Sequence, residues 1–366
     1  MKRLGVSAAF VDGALVPGDI GVSDGIVEAV GLPPGRGGTA IAGMVDLQVN
    51  GYAGVDFLGA GVEDWVAASR VLARGGVTSY VANLITSPES VVTEALGVAA
   101  KVQAVGASDG ARLLGTHLEG PFLSPAKAGT HPLDQLRAPD VALLSRLVEA
   151  GPVVGVTLAP ELPGALDLIA WLRARSVLVA LGHSAADDGA AHAGFDAGAR
   201  AVTHIFNGMS APTSRSAGLA GVALVRPDVA VEVICDGVHL ARDTVALVLA
   251  AAGERFVLVT DALSAASAGP GQHRLGAIEL SVVDGVARRA DGTLAGSVLS
   301  MAKALLAVVQ AGASFEQAVA AATSRPAELL GRDDVGRLLP GARADVVVLD
   351  DSLTVTTTLL SGTAVD

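Results

Sequence analysis

The residues of this chain best suited to chemistry stand at the ends of short apolar runs. "THLEGP" carries His117 and Glu119, "LGHS" carries His183, "THIFNGM" carries His204, "CDGVHL" carries His239 and "VTDA" carries Asp261. Residues two apart on an extended chain face the same side, so His117 and Glu119 share one face. A lone histidine at a strand end is ordinarily a packed, hydrogen-bonded residue, but several independent runs ending this way point to a shared metal site. Glu119, His183 and His204 offer one carboxylate and two imidazoles, the donor set of a catalytic zinc or similar divalent ion with positions left for water. Such an ion lowers the pKa of water from about 15.7 towards about 7. Asp261 is then placed to accept the water proton and pass it to a leaving group; the competing reading is a strand-to-helix cap. His131, in "SPAKAGTH", is placed to reach back and polarise a carbonyl under attack. His117 reads as structural support behind Glu119, His192 as a solvated helix residue and His273 as a loop residue.

Bringing these residues together requires elements that end at one place. Eight short apolar runs, at 44–49, 77–82, 113–118, 153–158, 177–181, 201–205, 229–234 and 256–260, alternate with alanine-rich amphipathic stretches. Runs apolar on both faces and separated by helical segments indicate parallel strands covered by helices. Eight such units predict a closed (β/α)8, TIM-like barrel, whose chemistry collects at the C-terminal ends of the strands. A doubly wound open sheet is the alternative.

The ends of the chain differ from its middle. Residues 1–43 show short β-like runs broken by Asp12-Gly13, Pro17-Gly18, Asp24-Gly25 and Pro33-Pro34-Gly35, and the tail repeats that character in "ADVVVLD" and "LTVTTTLLSG". The expectation is a small β-sandwich domain assembled from 1–43 and 333–366, with the barrel occupying 44–332. A β-hairpin insertion near 277–296, marked by Asp284-Gly285, follows the eighth strand and so lies on the side where barrel sites are built.

With 366 residues, 51% of them hydrophobic, and a mean hydropathy of +0.53, the chain can bury a large core. Its 25 Lys and Arg against 37 Asp and Glu give a formal charge of -12, which argues against nucleic acid as a partner. A small anionic substrate remains compatible, because one or two arginines can dominate the field inside a pocket. The single cysteine, Cys235, fits a reducing compartment, and the cytoplasm is the expected location. No stretch reads as an export signal or a membrane span.

The segments "DLQVNGYAGVDF", "HLEGPFLSPAKAGTH", "VTLAPE", "LGHSAA", "THIFNGMSAPTSRSAGLAG", "CDGVHL", "LVTDA", "GTLAGSVLSM" and "GRLLPGARADVVVLD" give the chain a further meaning. In this order and spacing they resemble the N-acetylglucosamine-6-phosphate deacetylase family of the amidohydrolase superfamily. The resemblance implies an amide hydrolase that frees acetate from N-acetyl-D-glucosamine 6-phosphate, with one divalent ion per subunit, zinc foremost and Fe, Mn or Co as alternatives. It implies that Glu119, His183 and His204 hold the ion and that Asp261 is the acid/base. Thr130, His131, Asn207, Gly208, Asp236, His239, Leu294, Ala295 and Gly296 would contact the sugar. Arg215 would reach the phosphate of a neighbouring subunit's substrate, making the active unit a homodimer. Read without the family, Arg215 is a cation in a Ser- and Pro-rich turn. N-acetylgalactosamine 6-phosphate is the alternative substrate, and an inactive binding barrel is the alternative class.

One departure stands out. Other members carry His-x-His at the end of the first strand and can hold two metals, whereas this chain has Gln48 and Asn50 there. A neutral amide is a poor substitute for imidazole on a divalent transition metal. The expectation is therefore a mononuclear centre, with Gln48 and Asn50 at a vacant second-metal position.

Overall fold

The computed structural model describes residues 1–106 and 108–365. Eight parallel strands, Met44–Val49 (β1), Val77–Ile85 (β2), Arg112–Glu119 (β3), Val153–Leu158 (β4), Leu178–Leu181 (β5), Ala201–Val202 (β6), Ala230–Val233 (β7) and Phe256–Leu258 (β8), pair in simple sequential order. Every residue of β1 and of β2 is buried, as expected of strands with the barrel interior on one face and helices on the other.

The ring closes between β8 and β1. Val49 and Ala262 form a parallel bridge, and the Asn50 and Gly51 N–H groups donate to the Ala262 carbonyl at 2.8 and 3.3 Å. The buried Asp46 carboxylate on β1 accepts from the Thr260 hydroxyl at 2.6 Å and from its N–H at 3.2 Å. Hydrogen bonds of this kind leave no open sheet edge, so the barrel reading holds and the doubly wound alternative does not.

Eight helices follow the strands in turn: Val62–Arg74 (α1), Glu89–Val105 (α2), Val141–Ala150 (α3), Ala165–Arg173 (α4), Asp188–Ala197 (α5), Gly218–Val225 (α6), Arg242–Ala252 (α7) and Met301–Gln310 (α8). Their buried stripes, such as Trp65, Ala68 and Leu72 on α1 and Leu143, Leu144 and Leu147 on α3, recur at helical spacing and cover the outer face of the strands. Asp140 caps α3 through the Ala142 and Leu143 N–H groups, and Asp187 caps α5 through Ala190. His192 lies exposed on α5, as read from its surroundings in sequence.

Both termini contribute to two further sheets. One has six strands in the order Thr363–Ala364, Val355–Leu360, Val346–Leu349, Thr39–Ala42, Ala8–Val11 and Ala14–Pro17, and the other joins Lys2–Arg3, Asp19–Ser23 and Ile26–Leu32. The period-2 alternation of a strand divides the six-stranded sheet's side chains between two cores. Ala40, Ala42 and Val346 pack with Ile20, Val22 and Val27 of the three-stranded sheet. Phe10, Ile41 and Val347 face the other way and join the barrel's hydrophobic core, with Phe10 edge-on to Phe315.

The insertion after β8 is larger than a hairpin. Gly271–Leu275, Ile278–Val283 and Val286–Arg288 form a three-stranded antiparallel sheet. The Asp284-Gly285 turn has positive φ at both residues, the two-residue connection its sequence predicts. The unforeseen first strand carries His273, which is therefore a strand residue and not a loop residue; its Nε2 meets the Gly269 carbonyl at 2.9 Å. No helix among the described residues is long and apolar enough to cross a membrane.

Candidate active site and metal centre

Each side chain at the mouth arrives where its strand stops. Glu119 is the last residue of β3; His183, His204 and Asp261 follow the ends of β5, β6 and β8 within three residues. Those three have φ of 47°, 30° and 49°. Left-handed backbone costs an L-residue about 1–2 kcal/mol and concentrates at functional sites. It also fits the early ends of β6 and β8, which stop before their apolar runs do: the left-handed residue turns the chain out of the ladder and its side chain into the mouth.

The Nε2 atoms of His183 and His204 both lie 2.9 Å from Glu119 Oε1, and the His131 Nε2 lies 3.6 Å from the same oxygen. Among the described residues, Glu119, His183 and His204 are the one group whose donor atoms could share a metal ion, all within 4.8 Å of one another. The surroundings fit that use. His183 Nδ1 lies 2.8 Å from the Lys127 carbonyl, which fixes the proton on Nδ1 and leaves the Nε2 lone pair directed at the centre. Gly129 and Gly208 pack closely against the His183 ring. A Cβ on Gly208 would come within 2.7 Å of His183 Nδ1, and one on Gly129 within 3.3 Å of its Cε1.

Electrostatics divides the mouth. Burial would raise Glu119, but its close contacts with the His131, His183 and His204 imidazoles, which donate to it whenever they carry a proton on Nε2, hold it well below the usual carboxylate range. Burial and then the Glu119 charge push Asp261 well above it. Burial and the neighbouring His183 push His131 down to about 4, so its imidazole is neutral at pH 7. The Thr86 N–H donates to His131 Nδ1 at 3.4 Å, so the ring proton sits on Nε2, on the side of Glu119. His117 stays behind the centre, its Nε2 2.7 Å from the Thr157 hydroxyl, and burial lowers it to about 4. It acts as structural support, as its position in the motif suggests.

The end of β1 carries amides. Gln48 Nε2 donates to Glu119 Oε2 at 3.3 Å and Asn50 Nδ2 donates to Asp261 Oδ1 at 2.7 Å. A residue not singled out from sequence joins them: Asn83, on β2, donates to Glu119 Oε2 at 2.6 Å and to Asn50 Oδ1 at 2.9 Å. Its signal was present, because an amide in the middle of a nine-residue strand buried throughout needs a polar partner.

A cavity of about 720 Å³, open to solvent, covers this arrangement. Asn50, Glu119, Thr130, His131, His183, His204, Asn207, Gly208, His239, Asp261, Leu294 and Gly296 line it. Asp236 and Ala295 do not. The Asp236 carboxylate accepts from the Val238 and His239 N–H groups at 2.8 Å and meets His239 Nδ1 at 2.7 Å, so it orients the imidazole that faces the cavity. Ala295 is buried, its N–H bonded to the Ala287 carbonyl, and so holds the Leu294 and Gly296 segment against the insertion. Gln48 sits beneath the cavity floor. Arg215 lies exposed in the Thr213–Ser216 turn, away from the cavity walls, and its guanidinium has no ion-pair partner among the described residues.

A (β/α)8 barrel with a carboxylate and two imidazoles converging beside a buried aspartate defines a hydrolase of the metal-dependent barrel class. The chain belongs to the amidohydrolase family, which it matches over residues 39–365. It is 40% identical over 348 residues to the human N-acetylglucosamine-6-phosphate deacetylase, covering 89% of this chain and 83% of that one. It is 38% identical over 314 residues to N-acetylgalactosamine-6-phosphate deacetylase of Escherichia coli O157:H7, covering 84% and 83%. Among solved structures it superposes on an aspartate-to-alanine variant of the Mycobacterium smegmatis N-acetyl-D-glucosamine-6-phosphate deacetylase, in complex with N-acetyl-D-glucosamine 6-phosphate. That match has a TM-score of 0.94 at 33% identity and covers 99% of this chain and 98% of that one. The Thermotoga maritima deacetylase matches with a TM-score of 0.93 at 32% identity, covering 100% and 99%. The family read from the sequence motifs is thus the family to which the chain belongs.

Proposed function

We propose that this protein hydrolyses the acetamide of N-acetyl-D-glucosamine 6-phosphate, consuming one water and releasing acetate and D-glucosamine 6-phosphate. The observation that carries the proposal is the convergence of His183 and His204 on one oxygen of Glu119, beside Asp261, in a cavity open to solvent. It is joined to 40% identity with the human deacetylase. A divalent ion held by Glu119, His183 and His204 would supply an acidified water, a Lewis acid for the carbonyl and a positive charge offsetting the effect of Glu119 on Asp261.

The chain's own groups account for the remaining steps. Asp261, unlike Glu119, is not held by histidines, and its raised affinity for a proton suits a group that takes one from water and returns it to the sugar nitrogen. His131, neutral with its proton on Nε2, donates a hydrogen bond to the carbonyl oxygen as charge develops there. Thr130, Asn207, Gly208, His239, Leu294 and Gly296 border the sugar, with Asp236 and Ala295 supporting them from behind. Gln48 and Asn50 present N–H groups towards carboxylates, which supports one ion per subunit; zinc is our reading of its identity, and Fe, Mn and Co accept the same donors.

The unpaired guanidinium of Arg215 supports a homodimer in which it reaches a neighbour's substrate phosphate, a bidentate contact suited to arginine. We further place the protein in the cytoplasm and divide the chain into a β domain of 1–43 and 333–366 and a barrel of 44–332. Acetate release from N-acetyl-D-glucosamine 6-phosphate by the purified, metal-supplemented protein tests the activity, and no release with Zn, Fe, Mn or Co would refute it. The E. coli relative favours a second reading, the galactosamine epimer. The ratio of kcat/KM for the two epimers decides between them.

A further inference from the structure

Four buried side chains form one hydrogen-bonded line across the mouth: Glu119, Asn83, Asn50 and Asp261, at 2.6, 2.9 and 2.7 Å. Its direction is forced. Glu119, as a carboxylate, accepts and does not donate, so Asn83 must turn its NH2 towards it. Asn83 uses one hydrogen on Glu119 Oε2 and the other on Asn50 Oδ1. With its oxygen occupied, Asn50 has only its NH2 left for Asp261 Oδ1. The second Asp261 oxygen is then the one free for the cavity, which Asp261 lines. Turning Asn83 over would set its oxygen against those of Glu119 and Asn50 and lose both bonds, so its Oδ1 stays buried without a partner among the described residues.

We propose that Asn83 is a positioning residue for the deacetylation, setting the orientation of the Asp261 carboxylate through Asn50 and tying it to Glu119. The inference rests on the deacetylase reading with Asp261 as acid/base. The amides of β1 and β2 hold the base from the side away from the histidines, where a hydrogen-bond donor is needed and a metal ligand is not.

The test is a double-mutant cycle on the metal-loaded enzyme with Asn83→Leu, Asn50→Leu and the pair, reading kcat, KM and metal content separately. Each single variant is expected to lower kcat by about 10- to 100-fold, the range seen when a partner behind a site residue is lost. KM should stay within about two-fold and metal content equal to the parent's. Because the two residues act through one line, the double variant should lose no more than the worse single one. In chelated protein, the two substitutions should also be non-additive in thermal midpoint. Asn50→Asp, which still accepts from Asn83 but has no donor for Asp261, should lower kcat at least as far as Asn50→Leu; this arm decides the matter even where Asn83→Leu fails to fold. Multiplying losses in the double variant, a kcat that falls only in step with metal content, or an unimpaired Asn50→Asp enzyme would each overturn the inference while leaving the deacetylase reading intact. A parent enzyme that releases no acetate would sink both.

Discussion

The two sides of the barrel mouth are built from different chemistry. On one, β3, β5 and β6 supply Glu119, His183 and His204, with His131 and His183 packed edge to face at 4.5 Å between ring centres and His183 and His204 at 5.0 Å. On the other, β1 and β2 supply Gln48, Asn50 and Asn83, all amides and all buried. The first side presents lone pairs to a common point, and the second presents N–H groups to the carboxylates. Positive charge is therefore accommodated on one side only. Asp261 sits between them, held by an amide and lining the same cavity as Glu119, His183 and His204.

Breaking the lone-pair side should have the largest effect. His204→Ala is expected to lose the metal and nearly all activity, at least about 10⁴-fold, as should chelation of the parent; elemental analysis alongside acetate release checks this, and full activity in a metal-free variant would dissolve the contrast. Next comes the group between the sides. Asp261→Asn should keep the parent's metal content and lower kcat by about 10²- to 10⁴-fold, the range for general acid–base catalysis. Smaller again is Gly208→Ala, which forces a Cβ to within 2.7 Å of His183 Nδ1 at a φ of 62°. It should weaken metal binding by about 10-fold and lower stability by about 1–2 kcal/mol, measured by competition with a chelator and by urea unfolding.

The last prediction leaves activity aside and concerns the barrel interior below the mouth. Burial, then the charges of Glu119 and Asp46, raise Glu232 on β7 to about 8 from an ordinary value of 4.5. Its folded form thus retains a proton that the unfolded chain releases. The sign follows: stability from this group is full below about 4.5, falls as pH rises towards 8, and is flat above. Glu232→Gln should remove that slope and raise the stability of the metal-free protein at pH 9 by on the order of 5 kcal/mol. Parallel urea-unfolding curves for parent and variant at pH 5 and pH 9 would contradict this.

What could be read from the amino-acid order follows the same division. The barrel strands announced themselves because burial on both faces demands uninterrupted apolar runs, and His183, His204 and Asp261 stood out as titratable residues ending such runs. Asn83 did not, because an amide carries no charge and its meaning comes from Glu119 and Asn50, 36 and 33 residues away. Asp236 and Ala295 read as sugar contacts because their motif neighbours do; the fold sets them behind His239 and Gly296, a distinction that spacing along a turn does not encode. The first strand of the insertion was hidden for a related reason: Gly271, Gln272, His273 and Arg274 are polar and largely exposed, and only antiparallel pairing with Ile278–Val283 makes them a strand.

The left-handed backbone at His183, His204 and Asp261 also limits what the centre can become. Asn, Asp and His tolerate that conformation far better than β-branched or bulky residues do, and glycine best of all. A search for new chemistry at these three positions therefore starts from a short alphabet. Asparagine and aspartate are open to it at modest strain, while valine, isoleucine and threonine meet the backbone before they meet any substrate. The turn that aims each side chain thus also censors its replacements, and redesign of metal preference would find more room in the amides of β1 and β2, whose strands are ordinary.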